Sequence, residues 1–338
     1  MIRIALALLT LLFAGPLLAQ EAPEDGFNPD SILALKGLQL LDQRINAIGY
    51  RLVEANTPFC TGTVAQTGAL LHDVNQYPDH SVARFALGFD GPVAVNAVAP
   101  DSPAAAAGLM PGDDILAING MKVDDIPLDS PEIVQELPGY RRLAAVNATL
   151  DQALAGGDVR LEILRGGEQV QLILQARPAC PSRFQITVDD DRGASADGRI
   201  VSVTSRLAEY FLSDDEFAAV VAHELAHNLL KHRDRLDAQK VNRGFFGQFG
   251  KSASRIREAE IEADRLSVWL MANAGYDPQA AIRFWTRYGK EHGKGIFSAS
   301  THYRWKKRVK LFEEEIVKMA SMAPVDGKQP PPLLVQTD

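Results

Sequence analysis

Cysteine is almost missing from this chain: 338 residues carry two, Cys60 and Cys180. That excludes a disulfide-dense small scaffold and a four-cysteine metal site. Neither cysteine stands near the N-terminal apolar run, which excludes a lipid-anchored cysteine there. An excess of cations is also lacking, since 35 Lys and Arg face 43 Asp and Glu for a formal net charge of -8. With no basic stripe, nucleic acid is not an expected partner. The one basic cluster, Lys306, Lys307, Arg308 and Lys310, reads as the solvated side of a helix. Beyond the N-terminus no stretch reaches the roughly 18 apolar residues that a spanning helix needs. What remains is ordinary globular composition, 46% apolar and 23% charged, in a length that suggests about two domains.

Arg3 precedes an apolar run from Ile4 to Leu18, and small Ala19 stands before Gln20 and the acidic stretch Glu21 to Asp25. That order predicts a secretory signal over residues 1–19 and a mature chain that is periplasmic or secreted, without a transmembrane segment. The run is short for a span and breaks at Gly15-Pro16; a retained anchor is the alternative. In an oxidising compartment Cys60 and Cys180 are expected to pair, a closure worth about 4 to 5 kcal/mol at most. Two unrelated buried thiols are the other reading, and a thiol nucleophile is not expected.

Pro29 to Asn56 reads as one helix within an N-terminal unit 29–60. Leu33, Leu38, Leu41, Ile45, Ile48 and Leu52 form its apolar stripe, and Asn56-Thr57-Pro58 its stop. The stretch from Thr61 to Ser81 carries no clear pattern. From residue 84 to 178 short alternating runs lie between glycines and prolines. Val93 to Val98 is a strand, Ala99 to Asp113 holds two turns around a short alanine helix, and Ile115 to Gly120 is a strand ending in Asn-Gly. Val159 to Leu164 and Gln169 to Leu174 make a hairpin around Gly166-Gly167, while Glu132 to Leu154 looks helical. This stretch resembles a PDZ domain of the kind carried by exported bacterial proteases. The resemblance implies that Leu87, Gly88 and Phe89 receive a peptide carboxylate with a strand of peptide added alongside; a mere spacer is the alternative. Cys60 and Cys180 flank the module, so a disulfide would pin it at its neck.

A second unit, 182–320, begins with candidate strands Phe184 to Val188 and Ile200 to Thr204, the latter the expected edge for an added substrate strand. Ser213 and Glu216 form a capping-box pattern that opens a helix with Phe217, Val220, Val221, Leu225 and Leu229 inward. In the middle of that helix stands His223-Glu224-Leu225-Ala226-His227. Two imidazoles four residues apart share a face, close enough for one tetrahedral metal, and the glutamate can hold a water there and take its proton. No third histidine follows at the short spacing of three-histidine sites. Instead Arg255 to Asn273 reads as an acidic helix with Glu258, Glu260, Glu262 and Asp264. A helical wheel leaves Glu260 and Glu262 both open as the third ligand, and sets Asp264 one turn from Glu260, suited to orient a ligand histidine. His232 and His292 read as surface residues.

His-Glu-Leu-Ala-His followed by Glu260-Ile-Glu-Ala-Asp264 resembles the HtpX, BepA and CAAX-prenyl-protease (Ste-type) family of gluzincin zinc metallopeptidases. So do the approach from Asp197 to Ala219 and the pair Ser300-Thr301-His302 with Arg308, although Tyr303 replaces the proline of that signature. The resemblance implies an α+β class: a zincin-like helical domain with a small sheet, carrying the β-rich PDZ insert. It implies one Zn²⁺ per chain on His223, His227 and Glu260, Glu224 as catalytic base, and His302 steadying the oxyanion or capping the zinc at rest. Asp264 would stand behind the ligands, and Arg308 would hold the His302 loop or meet substrate. The short, polar connection between the metal helices implies a member without spanning hairpins. Phe245, Phe246 and Phe249 in it are a lid, a greasy peripheral membrane contact or simple packing. Expected partners are unfolded or C-terminal segments of envelope proteins; the rival expectation is a PDZ-based assembly factor with a resting zinc site. Residues 321–338, proline-rich and poor in charge, are expected to form a disordered tail.

Overall fold

The computed structural model describes residues 26–241, 250–292 and 305–335. The expected signal segment, Phe245, Phe246, Phe249, and Ser300 to Tyr303 with His302 lie outside the described residues. Helix α1 (Pro29–Ala55) is capped by Asn28, whose side chain accepts from the Asp30 N–H. Its C-terminal half buries Ile45, Ile48, Leu52 and Val53. It stops at fully buried Asn56, which donates to the carbonyls of Leu52 and Leu270 and so ties the helix end to the core of the second unit.

The PDZ region follows in chain order: β1 (Val64–Gln66), β2 (Ala69–Asp73), α2 (His80–Leu87), β3 (Val93–Val98), α3 (Pro103–Ala106), β4 (Asp114–Ile118), β5 (Met121–Lys122), α4 (Pro131–Val134), α5 (Arg141–Ala155), β6 (Val159–Arg165), β7 (Glu168–Leu174) and β8 (Arg177–Ala179). The main sheet runs β2-β3-β4-β6-β7, with β5 paired to β4. It therefore begins at Ala69 rather than at residue 84. The strand is masked in sequence by His72 and Asp73, which are nonetheless buried because the Tyr77 hydroxyl meets His72 Nδ1 at 2.7 Å and Asp73 caps the next turn. The helix expected over 132–154 is broken at Pro138, whose missing N–H and ring end one helix and open a 3₁₀ turn before α5.

The second unit comprises β9 (Arg183–Thr187), β10 (Ala194–Ala196), β11 (Ile200–Thr204), α6 (Ser205–Ala208), α7 (Asp214–Leu229), α8 (His232–Ala238), α9 (Gly250–Asn273), α10 (Gln279–His292) and α11 (Trp305–Ala320). Its sheet order is β10-β11-β9, with β9 parallel and β10 antiparallel to β11. Ile200 to Thr204 is thus the central strand and not the edge. The unexpected third strand is Ala-Ser-Ala, small residues of weak strand propensity. The outer edge of β9 is blocked where the Ile186 N–H donates to the Asp42 carboxylate, which leaves β10 as the free edge. Phe217, Trp269, Phe284 and Phe312 fill the core beneath.

Several contacts fasten the two units. Cys60 and Cys180 form a disulfide, and β1 pairs β8 beside it. Asp42 on α1 accepts both from Ile186 and from Asn96 of β3, and Asn46 donates to the Gly68 carbonyl. Arg183 of β9 reaches Asn147 and Asp151 on α5. The C-terminal segment is not a free tail through residue 335. Asn273 receives the Gln329 N–H and donates to its carbonyl, Lys328 Nζ donates to the Asn273 carbonyl, and Leu333 and Leu334 pack on the core. The proline run that lowers its apparent foldability also stiffens it, so less entropy opposes docking. Among the described residues no helix is long and apolar enough to cross a membrane.

Candidate metal centre

Ser213 opens α7 by accepting from the Glu216 N–H at 3.2 Å. The apolar residues predicted to face inward are buried and press the helix against α9. His223 and His227 stand one turn apart on that contact, with Glu224 half-buried beside them. The two Nε2 atoms are 3.2 Å apart, and each lies 3.5 Å from an oxygen of Glu260. A tetrahedral ion about 2.0–2.1 Å from each ligand needs donors separated by about 3.3–3.5 Å. The three side chains therefore fit a metal in size, and two imidazoles with one carboxylate suit a borderline divalent ion. Packing resolves what the wheel left open. Glu260 turns to the histidines, whereas Glu262 turns to His232 and Arg235.

Asp264 lies 2.8 Å from His223 Nδ1 and is itself held by both arms of Arg308. Burial alone would raise the Asp264 pKa, but the Arg308 and His223 charges more than offset it and hold it below the usual range. Arg308 is 4% exposed and lies 3.5 Å from the centre of the Trp285 ring. It does not belong to a solvated face, unlike exposed Lys306, Lys307 and Lys310, because its guanidinium is spent on Asp264. For His223, burial lowers the pKa but Asp264 outweighs it and pushes the ring up to about 10. His227 is driven down to about 3 by burial and then by its cationic neighbour. The two shifts describe one proton between two close rings, which an ion at the same nitrogens would displace.

His232 is not a surface residue. Its ring is 2% exposed, with Nδ1 2.9 Å from His227 Nδ1 and Nε2 3.0 Å from Glu262. Nothing in a helical wheel reaches it, since α7 has ended before it; the only signal is a histidine five residues beyond the motif. His292 is exposed, as expected. Trp285 has no signal in the sequence.

The expected carboxylate loop of the PDZ domain is already occupied. Leu87 and Phe89 are buried, and the Gly88 and Phe89 N–H groups both donate to the Arg84 carbonyl. The next two, Asp90 and Gly91, donate to the Asp114 carboxylate. Gly88, at φ 71°, is the left-handed stop of α2. Of the two edge strands of this sheet, β2 and β7, β2 is the one that lies beside α5.

Residues 191–255 match peptidase family M48, and residues 94–139 match the PDZ domain family. The mitochondrial metalloendopeptidase OMA1 of Schizosaccharomyces pombe is 33% identical over 30% of this chain and 36% of its own length. A Vibrio cholerae protein named as a β-barrel assembly-enhancing protease is 26% identical over 46% of this chain and 42% of its own. The magnetosome formation protease MamE of Paramagnetospirillum magneticum is 34% identical over 35% of this chain and 14% of its own. The chain thus spans less than half of the length of each of these relatives. With the motif and the converging donors beside both matches, one polypeptide joins a segment of peptidase family M48, residues 191–255, to a PDZ domain, residues 94–139.

Proposed function

We propose that the chain is an exported, zinc-dependent metalloendopeptidase that cuts unfolded or misassembled envelope proteins, with extended segments delivered by its PDZ domain. The observation that carries this reading is the spacing of His223, His227 and Glu260, each pair 3.2 to 3.5 Å apart with Glu224 one residue away. One Zn²⁺ on these three side chains would polarise the scissile carbonyl and bring the pKa of a water down toward about 7. Glu224 takes the proton of the attacking water and passes it to the leaving amine. Asp264, anchored by Arg308, keeps His223 facing the site, so Arg308 acts through Asp264 rather than on substrate. His302, outside the described residues, is assigned to the oxyanion or to a cap on the resting site. The free edge at β10, packed against α7, suits an extended substrate backbone.

Because its glycine loop is engaged internally, the PDZ domain is assigned to internal strands added along β2 rather than to C-terminal carboxylates. The relative named for β-barrel assembly supports an envelope substrate, and the signal pattern supports a periplasmic or secreted setting. The test is zinc content together with casein degradation, for wild type and Glu224→Gln. Both should hold about one zinc, and the variant should lose about 10²- to 10⁴-fold in rate, as removal of a general base does. A chelator should silence wild type. Full activity in Glu224→Gln would overturn the reading, and cellular effects that survive the variant would belong to PDZ-based assembly work instead.

A further inference from the structure

We infer that His232 is a positioning residue for the metal centre: a neutral imidazole that accepts the Nδ1–H of His227 and so fixes which nitrogen His227 presents. The inference rests on the metal-centre reading above. His227 points Nε2 toward His223 and Glu260, so its proton must sit on Nδ1 for Nε2 to offer a lone pair. That Nδ1 lies 2.9 Å from His232 Nδ1, which must therefore accept. The proton of His232 then has one place left, Nε2, which is 3.0 Å from Glu262 Oε2, an acceptor. Arg235 closes the chain by donating to the same carboxylate at 2.6 Å. One assignment of protons satisfies every link, and it leaves both rings neutral.

The backbone is arranged to make this contact. Helix α7 ends at Leu229, and Lys231 takes a left-handed conformation at φ 52° and ψ 41°, uncommon for a side chain other than glycine, asparagine or aspartate. The chain turns there, so His232 opens α8 beneath His227 instead of projecting away. The two ligand histidines are consequently backed differently: His223 by a carboxylate directly, His227 by a carboxylate one imidazole away.

The alternative is that His232 merely fills buried space, and two variants separate these roles. His232→Leu fills the space without an acceptor; His232→Asn keeps a carbonyl oxygen close to the position of Nδ1. Zinc dissociation constants from chelator competition, and unfolding temperatures of the metal-free and zinc-loaded full chain, are the readouts. We expect His232→Leu to weaken zinc by about 10- to 100-fold, as loss of an outer partner of a ligand histidine does. It should also shrink the zinc-induced rise in unfolding temperature while leaving the metal-free protein near wild type, and His232→Asn should recover most of the affinity. Long-range ¹H–¹⁵N spectra of the zinc-loaded protein should show His227 protonated at Nδ1. Wild-type zinc affinity in His232→Leu, or equal loss of stability with and without zinc at unchanged affinity, would overturn the inference. Failure of wild type to bind zinc at all would overturn the metal-centre reading itself, and this inference with it.

Discussion

Asp264 answers two demands at once, accepting from His223 and neutralising Arg308, and neither partner has water to fall back on. Asp264→Asn should therefore cost stability by about 3–5 kcal/mol, the penalty for stranding a buried cation. It should also weaken metal binding by about 10- to 100-fold; denaturant unfolding and chelator competition on the same sample check both. Two other buried groups give the chain opposing pH responses. Burial holds His72 near pKa 4, below the ordinary 6.5, and its Nε2 has no hydrogen-bond partner among the described residues. Its contribution is complete above pH 6.5 and is lost as pH falls toward 4, because the unfolded chain takes the proton first; the loss is about 3 kcal/mol. Burial lifts Asp42 to about 6, despite the lowering effect of Ile186 and Asn96. Its contribution is complete below 3.8 and is lost as pH rises through 6. Between about pH 4 and 6 the two slopes oppose each other. His72→Gln should gain stability on acidification through that window and Asp42→Asn should lose it, by denaturant unfolding at several pH values. A wild-type slope retained in both variants would refute the assignment.

Helix α1 meets β9 at unusually close range because Gly49 has no side chain: a Cβ there would fall 2.2 Å from the Phe184 ring. Alanine is the better helix former by about 1 kcal/mol, yet Gly49→Ala should lower stability by about 1–3 kcal/mol, since the ring is core and cannot swing out. Thermal unfolding of the variant measures which effect wins. At this scale the sequence was readable where side chains declare their face. Ile45, Ile48 and Leu52 of the α1 stripe, the Gly166-Gly167 hairpin and the capped metal helix stand where their patterns pointed, whereas Leu33, at the other end of the stripe, is exposed. It misled where a tertiary contact outweighs local pattern. Ala194-Ser195-Ala196 pairs because β11 offers a partner, and His72-Asp73 enters a strand where the Tyr77 hydroxyl meets His72 Nδ1 and the Asn75 N–H donates to Asp73. The choice between Glu260 and Glu262 likewise waited on which side of α9 the histidines occupy, a fact that belongs to α7 rather than to α9.

At the scale of the molecule, helix α1, the disulfide, the β1–β8 pair and side-chain contacts together hold the PDZ domain to the peptidase. Asp42 sits where strands of both units converge, and Arg183 reaches across to α5. Such multiple fastening suits a domain held in a fixed position rather than one that swings on a tether. That Cys60 and Cys180 flank the segment resembling a PDZ domain, and pair, was legible in the sequence. The contacts of α1 with both units were not, because a single amphipathic stripe does not reveal two partners. The Cys60–Cys180 bridge spans 120 residues of sequence, so its removal by paired serine substitution should cost up to about 5 kcal/mol in denaturant unfolding. The same bridge decides the fate of a damaged molecule. A backbone cut anywhere between residues 61 and 179 opens the chain but releases nothing, since both pieces remain joined through sulfur. The nicked protein should run as one species on a non-reducing gel and as two after thiol treatment. Separating the two pieces of a singly cut chain thus requires two chemical events, a hydrolysis and a reduction.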